Sequence, residues 1–182
     1  MTVMKSLILA CLTLSVFCLA CINEPSGWED SAKAEKVRVG DSLPSFRVQT
    51  VSGDSVWSDR LRGKPSVVVF FHTRCGDCDR ALPVVQRLYD EYRWQVDFLC
   101  LGRNQSLPEA TAYWQQVGLT LPRATEEGSA VYELFARGII PRVYVSDSMG
   151  TVRAVFIEQV EEAPLRAALQ HLVYGSQSAE TP

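Results

Sequence analysis

Residues 67–71, Val-Val-Val-Phe-Phe, form an unbroken apolar run of the kind expected in a strand covered on both faces. Directly downstream the pattern changes period. Ala81, Val85, Leu88 and Tyr92 recur at helical spacing, predicting a helix to about Arg93 with Pro83 inside its second turn. Residues 96–101 read as another buried strand. Ser106 and Glu109 form a capping-box pair that opens a helix over 107–117. Residues 119–127 read as a connection, and 129–136 as a short helix closed by Gly138. Residues 143–145 and 152–157 are two strands around the turn Asp147-Ser148-Met149-Gly150. Glu161 and Glu162 suit the first turn of a last helix, whose apolar face is Leu165, Ala168, Leu169 and Leu172, with Gly175 past its end. Upstream, Phe46-Arg47-Val48-Gln49 alternates as an edge strand, 52–54 is a turn and 58–61 a helical turn.

Both ends of the chain stand apart from this pattern. Lys5 followed by the apolar stretch 6–20 reads as a secretory signal peptide, too short for a comfortable membrane span. It ends in Cys18-Leu19-Ala20-Cys21, which resembles the bacterial lipobox, with Cys18 where leucine is usual. Cys21 is the candidate lipid anchor; the alternative is ordinary cleavage near Ala20. Residues 21–36 are polar and read as anchor plus flexible tether, 37–175 as one domain, and 176–182 as a polar, disordered tail.

Composition narrows the classes. The 182 residues are 47% apolar with a net charge of −3, enough for one ordinary core and without a basic patch, so nucleic acid is not an expected partner. Of six cysteines, Cys11 and Cys18 leave with the signal. Cys100, in the apolar run 96–101, reads as a small buried core residue. Cys75 and Cys78, separated by two residues, join the central strand to a helix N-terminus. The unpaired N–H groups and dipole of that helix end favour a thiolate. A bridge closing so short a loop removes little unfolded-state entropy, so stability is a weak reason to have one.

The order strand, Cys-x-x-Cys, helix, strand, helix, Ile-Pro, hairpin, helix resembles the thioredoxin layout. Cys75-Gly76-Asp77-Cys78 is similar to that family's Cys-Gly-Pro-Cys, Pro83 stands where its helix-kinking proline does, and Ile140-Pro141 looks like its cis-proline. The pattern Gly40, Pro44, Phe46, Gly53, Gly63-Lys64 resembles the exported TlpA/ResA-type redoxins. The resemblance implies an α/β thioredoxin-like fold, a central mixed sheet flanked by helices, with an extra N-terminal β-hairpin. It also implies a membrane-tethered thiol–disulfide oxidoreductase in the bacterial cell envelope, facing the periplasm and using neither cofactor nor metal. Its partners would be disulfide-containing exported proteins and a membrane electron donor. The sequence departs from thioredoxin at Arg74, where tryptophan is usual, at Val69 in place of a buried acid, and at Asp77 in place of proline.

By this resemblance Cys75 is the nucleophile and Cys78 resolves the mixed disulfide. Ile140 and Pro141 present backbone to an extended substrate. Arg74 favours a thiolate at Cys75 and Asp77 opposes it. His72, three residues before Cys75, is either a base or ligand, or a polar wall residue. Three other functions compete. The peroxiredoxin Pro-x-x-x-Thr/Ser-x-x-Cys pattern fits neither Cys75 nor Cys78. A metal carrier or an inert scaffold lipoprotein would use the same two cysteines, with His171 the only downstream histidine.

Overall fold

The computed structural model describes residues 34–50 and 53–175. By its internal contacts the chain divides after Ala32, and all described residues belong to the second unit, 33–182. The signal segment, Cys21, the tether up to residue 33 and the tail from 176 lie outside the described residues.

The apolar run becomes the centre of a five-stranded mixed sheet. Strand β3 (Ser66–Phe71) is buried at every position. It pairs in parallel with β4 (Asp97–Arg103) and antiparallel with β6 (Arg142–Ser146). Outside these lie β5 (Arg123–Glu126), parallel to β4, and β7 (Val152–Ile157), antiparallel to β6, giving the order β5-β4-β3-β6-β7. Successive β3 side chains point to opposite faces. Val67, Val69 and Phe71 enter one cluster, Val68 and Phe70 the other.

The first cluster is covered by helices. Helix α1 (Gly76–Tyr92) contributes Ala81, Leu82, Val85 and Leu88, α2 (Leu107–Val117) contributes Trp114, and α4 (Glu162–Tyr174) contributes Leu165 and Leu169. The β3-α1-β4 and β4-α2-β5 crossovers step the same way along the sheet, so right-handed connections place α1 and α2 on one face. The Trp114 indole N–H, fully buried, donates to the Leu121 carbonyl at 3.0 Å. Arg87 of α1 pairs with Glu162 of α4, and Arg166 of α4 pairs with Glu91 of α1, linking the two helices through solvent-accessible pairs that contribute little stability.

The second cluster is aromatic. Phe46, Phe70, Tyr132, Phe135 and Tyr144 meet with ring centroids 4.8 to 6.1 Å apart. It is closed by the short helix α3 (Tyr132–Phe135) and by the N-terminal hairpin of β1 (Arg47–Gln49) and β2 (Ser55–Trp57). Among the described residues no helix is long and apolar enough to cross a membrane.

The structure departs from the sequence reading in three places. The segment 119–127 contains strand β5, whose short Arg-Ala-Thr-Glu sequence buries only Ala124 and therefore shows no apolar alternation. The helix expected over 129–136 shrinks to α3, within which Tyr132 and Phe135 are the buried side chains. The last residues assigned to the tether, 34–36, are part of the fold. Glu35 bridges Ala136, and the Lys36 and Val37 N–H groups both donate to the Phe135 carbonyl, at 2.9 and 3.0 Å. A polar tripeptide gives no core signal, because what orders it is a buried cation and a free carbonyl elsewhere in the chain.

Phe135 touches three aromatic rings and its carbonyl holds the incoming chain, so its truncation should be expensive. Phe135→Ala is expected to lower unfolding free energy by about 3–5 kcal/mol in urea titrations; a loss below about 1 kcal/mol would show that the second cluster does not depend on this ring.

Candidate active site around the cysteine pair

Strand β3 ends at Phe71, and the chain must turn before α1 can begin. Residues 72–74 make that turn. The His72 carbonyl accepts the Cys75 N–H at 3.1 Å, and its imidazole Nδ1 accepts the Arg74 N–H at 3.0 Å. His72 is thus bonded to backbone through both its carbonyl and its Nδ1. The Thr73 N–H donates to the side-chain oxygen of Gln105 at 2.9 Å, tying the turn to the end of β4.

Cys75 is the N-cap of α1, with extended backbone (φ −110°, ψ 110°). Its Sγ accepts the Cys78 N–H at 3.2 Å, taking the place of the hydroxyl or carboxylate oxygen that usually caps a helix. The same sulfur lies 3.7 Å from the Ile140 carbonyl oxygen. The Ile140-Pro141 bond is cis. Cys75 is partly exposed, whereas Cys78 has no accessible surface, and both are free thiols. Burial, reinforced by the hydrogen bond to Cys75, pushes the Cys78 thiol far above its ordinary value of 9.0. Cys100 is fully buried in β4 and burial raises its thiol likewise, as suits a core residue.

The structure therefore brings Cys75, Cys78, Ile140 and Pro141 together. Arg74 is exposed on the turn, and Asp77 turns outward to an ion pair with Arg80. His171 lies at the other end of the sheet, in a cleft with Gly63, Lys64 and Asp147. It cannot join the cysteines, and among the described residues no three His, Cys, Asp or Glu side chains converge.

Three contributors were not singled out from the sequence. Gln105 is 4% exposed, and its amide nitrogen sits 2.0 Å from where a Cβ on Gly102 would be, so that glycine is required by close approach. Tyr113 on α2 donates to Asp79 on α1 at 2.7 Å, and burial together with that carboxylate raises the phenol. Arg142, next to the cis bond, is fully buried with Glu35 as its ion-pair partner. Gln105 and Tyr113 carry no local signal. Arg142 does, since a charge opening an otherwise apolar strand demands a buried partner.

The Redoxin family matches residues 38–169. Thiol-disulfide oxidoreductase ResA of Bacillus thuringiensis is 26% identical over 133 residues, 72% of this chain and 77% of that protein. ResA of Bacillus cereus is 25% identical over 142 residues, 78% of this chain and 82% of that protein. A thiol:disulfide interchange protein of the thioredoxin family from Chlorobium tepidum superposes with a TM-score of 0.65 at 23% identity, covering 76% of this chain and 99% of that one.

The two thiols should differ sharply in reactivity. In the reduced native protein iodoacetamide is expected to alkylate Cys75 and leave Cys78 and Cys100 unmodified between pH 7 and 9; mass spectrometry showing Cys78 labelled as fast as Cys75 would contradict this. The raised thiols also set a stability slope. Above pH 9.0 the unfolded chain releases their protons while the folded chain keeps them, so unfolding is favoured as pH rises. Denaturation midpoints should fall above pH 9, by at most about 1.4 kcal/mol per pH unit for each thiol, and a flat profile to pH 11 would refute the assignment.

Proposed function

The chain belongs to the redoxin family and is a thiol–disulfide oxidoreductase, and from that premise we propose that it is a membrane-tethered reductant of disulfides in exported proteins. The observation that carries the reading is the unequal placement of two sulfurs. One is partly exposed, caps a helix and faces the Ile140 carbonyl; the other is buried one turn behind it.

The chemistry follows from that inequality. The Cys75 thiolate, stabilised by the Cys78 N–H and the positive helix end, attacks one sulfur of a substrate disulfide. A Cys75–substrate disulfide forms and the other substrate sulfur departs as thiolate. Cys78 then gives up its proton and attacks the Cys75 sulfur. The substrate leaves with both sulfurs reduced, and the enzyme retains a Cys75–Cys78 disulfide. Two electrons have passed to the substrate, and a dithiol donor at the membrane restores them. Burial keeps Cys78 protonated and silent until the mixed disulfide brings a target within reach, which prevents idle exchange. Ile140 and Pro141 offer backbone for an extended substrate chain, and Arg74 lends positive charge on the exposed rim.

The signal peptide, lipidation at Cys21 and a periplasm-facing location in the cell envelope belong to the same proposal. They are supported by the apolar leader, the Leu-Ala-Cys ending and the polar residues that follow.

Equilibration of the Cys75–Cys78 couple in dithiothreitol buffers is expected to give a potential near roughly −270 mV, that of a reductant. A value near roughly −120 mV would make it an oxidant and reverse the proposed direction. Cys75→Ser should abolish disulfide reduction, and unchanged activity would leave the pair inert. Separately, Cys21→Ser should move the protein from the membrane to the soluble fraction of expressing bacteria; an unchanged membrane fraction would defeat the lipid anchor.

A further inference from the structure

Pro141 is followed by an arginine with no exposed surface, at the start of a strand that is otherwise Val-Tyr-Val-Ser. A guanidinium removed from water needs an anion and filled hydrogen bonds, and both come from specific neighbours. Its Nη1 pairs with the Glu35 carboxylate, which also accepts the Tyr144 hydroxyl. Its Nε donates to the Ile139 carbonyl at 3.0 Å and to the Tyr132 hydroxyl at 3.2 Å. The Tyr132 hydroxyl donates to that same Ile139 carbonyl at 2.7 Å. Two donors therefore converge on the carbonyl one residue before Ile140, and the next carbonyl, that of Ile140, is the one facing Cys75 Sγ at 3.7 Å.

Glu35 is itself fixed. Its segment bridges Ala136, and the Arg137 N–H donates to the Ala34 carbonyl at 2.9 Å. Burial, reinforced by the hydrogen bond to the Glu35 carboxylate, holds the Tyr144 phenol above its ordinary range. Arg142 Nη2 is left without a hydrogen-bond partner, so the arrangement does not maximise hydrogen bonding around the cation. What it does supply is a fixed position for the Ile139–Pro141 backbone.

We propose that Glu35 and Arg142 are positioning residues for disulfide reduction: through the Ile139 carbonyl they hold the Ile139–Pro141 backbone at the distance from Cys75 that an extended polypeptide substrate needs. Neither touches the reacting sulfurs. The proposal rests on the oxidoreductase reading. It predicts a selective defect, because a small disulfide needs only Cys75, whereas a polypeptide must also align along the loop.

The test uses the pre-reduced full-length chain in single turnover with two oxidants: a small bis-nitrobenzoate disulfide and an extended peptide carrying one disulfide. Arg142→Met removes the bond to Ile139 but strands Glu35; Glu35→Gln strands the arginine. The double variant Glu35→Gln/Arg142→Met removes the buried charge pair altogether and is the one expected to stay folded. In the double variant the rate constant with the peptide is expected to fall about tenfold or more, the scale of a slightly misplaced positioning group. The rate constant with the small disulfide should stay within about twofold of the unaltered protein, and Arg142→Lys should recover part of the loss. Equal rates with the peptide, or equal losses on both oxidants, would overturn the proposal. So would a double variant that does not fold, because the pair would then be holding the domain rather than the loop. Failure of the unaltered protein to reduce either oxidant would instead defeat the oxidoreductase reading.

Discussion

A strand buried on both faces can place reactive groups only at its ends, and the geometry of this protein follows from that restriction on β3. Five of its six residues feed two separate clusters, so any lateral shift would expose apolar surface on both faces at once. The strand is thereby held in register, and its last residue, Phe71, is locked under Trp114 with ring centroids 4.8 Å apart. The turn that follows has little freedom. His72 caps it from within and Gln105 pins it from just beyond β4, so Cys75 arrives at the helix N-terminus in a defined orientation.

From this single constraint comes the chemical inequality of two otherwise identical side chains. Cys75 and Cys78 are one helical turn apart, which would by itself bring both sulfurs to the same face. The cap position is what separates them. Cys75 lies just outside the helix, beside its amides and at the surface, while Cys78 is inside it and faces the core with Val69 and Phe71. One sulfur is accessible to solvent; the other is buried directly behind it. The absence of an acid at position 69 fits this packing, since Val69 is fully buried among apolar side chains.

The opposite wall of the site is built on a different principle. There the chain uses a buried ion pair, whose attraction is largely offset by the cost of taking both charges out of water. Its content is geometric. Arg142 joins Glu35, 107 residues upstream, to Tyr132 and Ile139 of its own stretch of chain, and they meet beside Pro141. The apolar cluster beneath supplies cohesion, and the polar network above it supplies direction.

Local pattern alone determined most of the fold. The run 67–71, the helical spacing of Ala81, Val85, Leu88 and Tyr92, and the Ser106/Glu109 capping box each encode their element within a few residues. Cys-x-x-Cys and Ile-Pro likewise declare themselves as dipeptides and tetrapeptides. What the sequence left open is whatever depends on a distant partner. Strand β5 exists because β4 offers an edge, residues 34–36 are ordered because Arg142 and the Phe135 carbonyl await them, and His72 is a turn acceptor because the Arg74 N–H points at it. The position of Asp77 is likewise set in space, by its ion pair with Arg80. Hydrophobic periodicity is a property of neighbours along the chain and can be read there; the pairing of a charge or a carbonyl is a property of neighbours in space, and only the folded chain decides it.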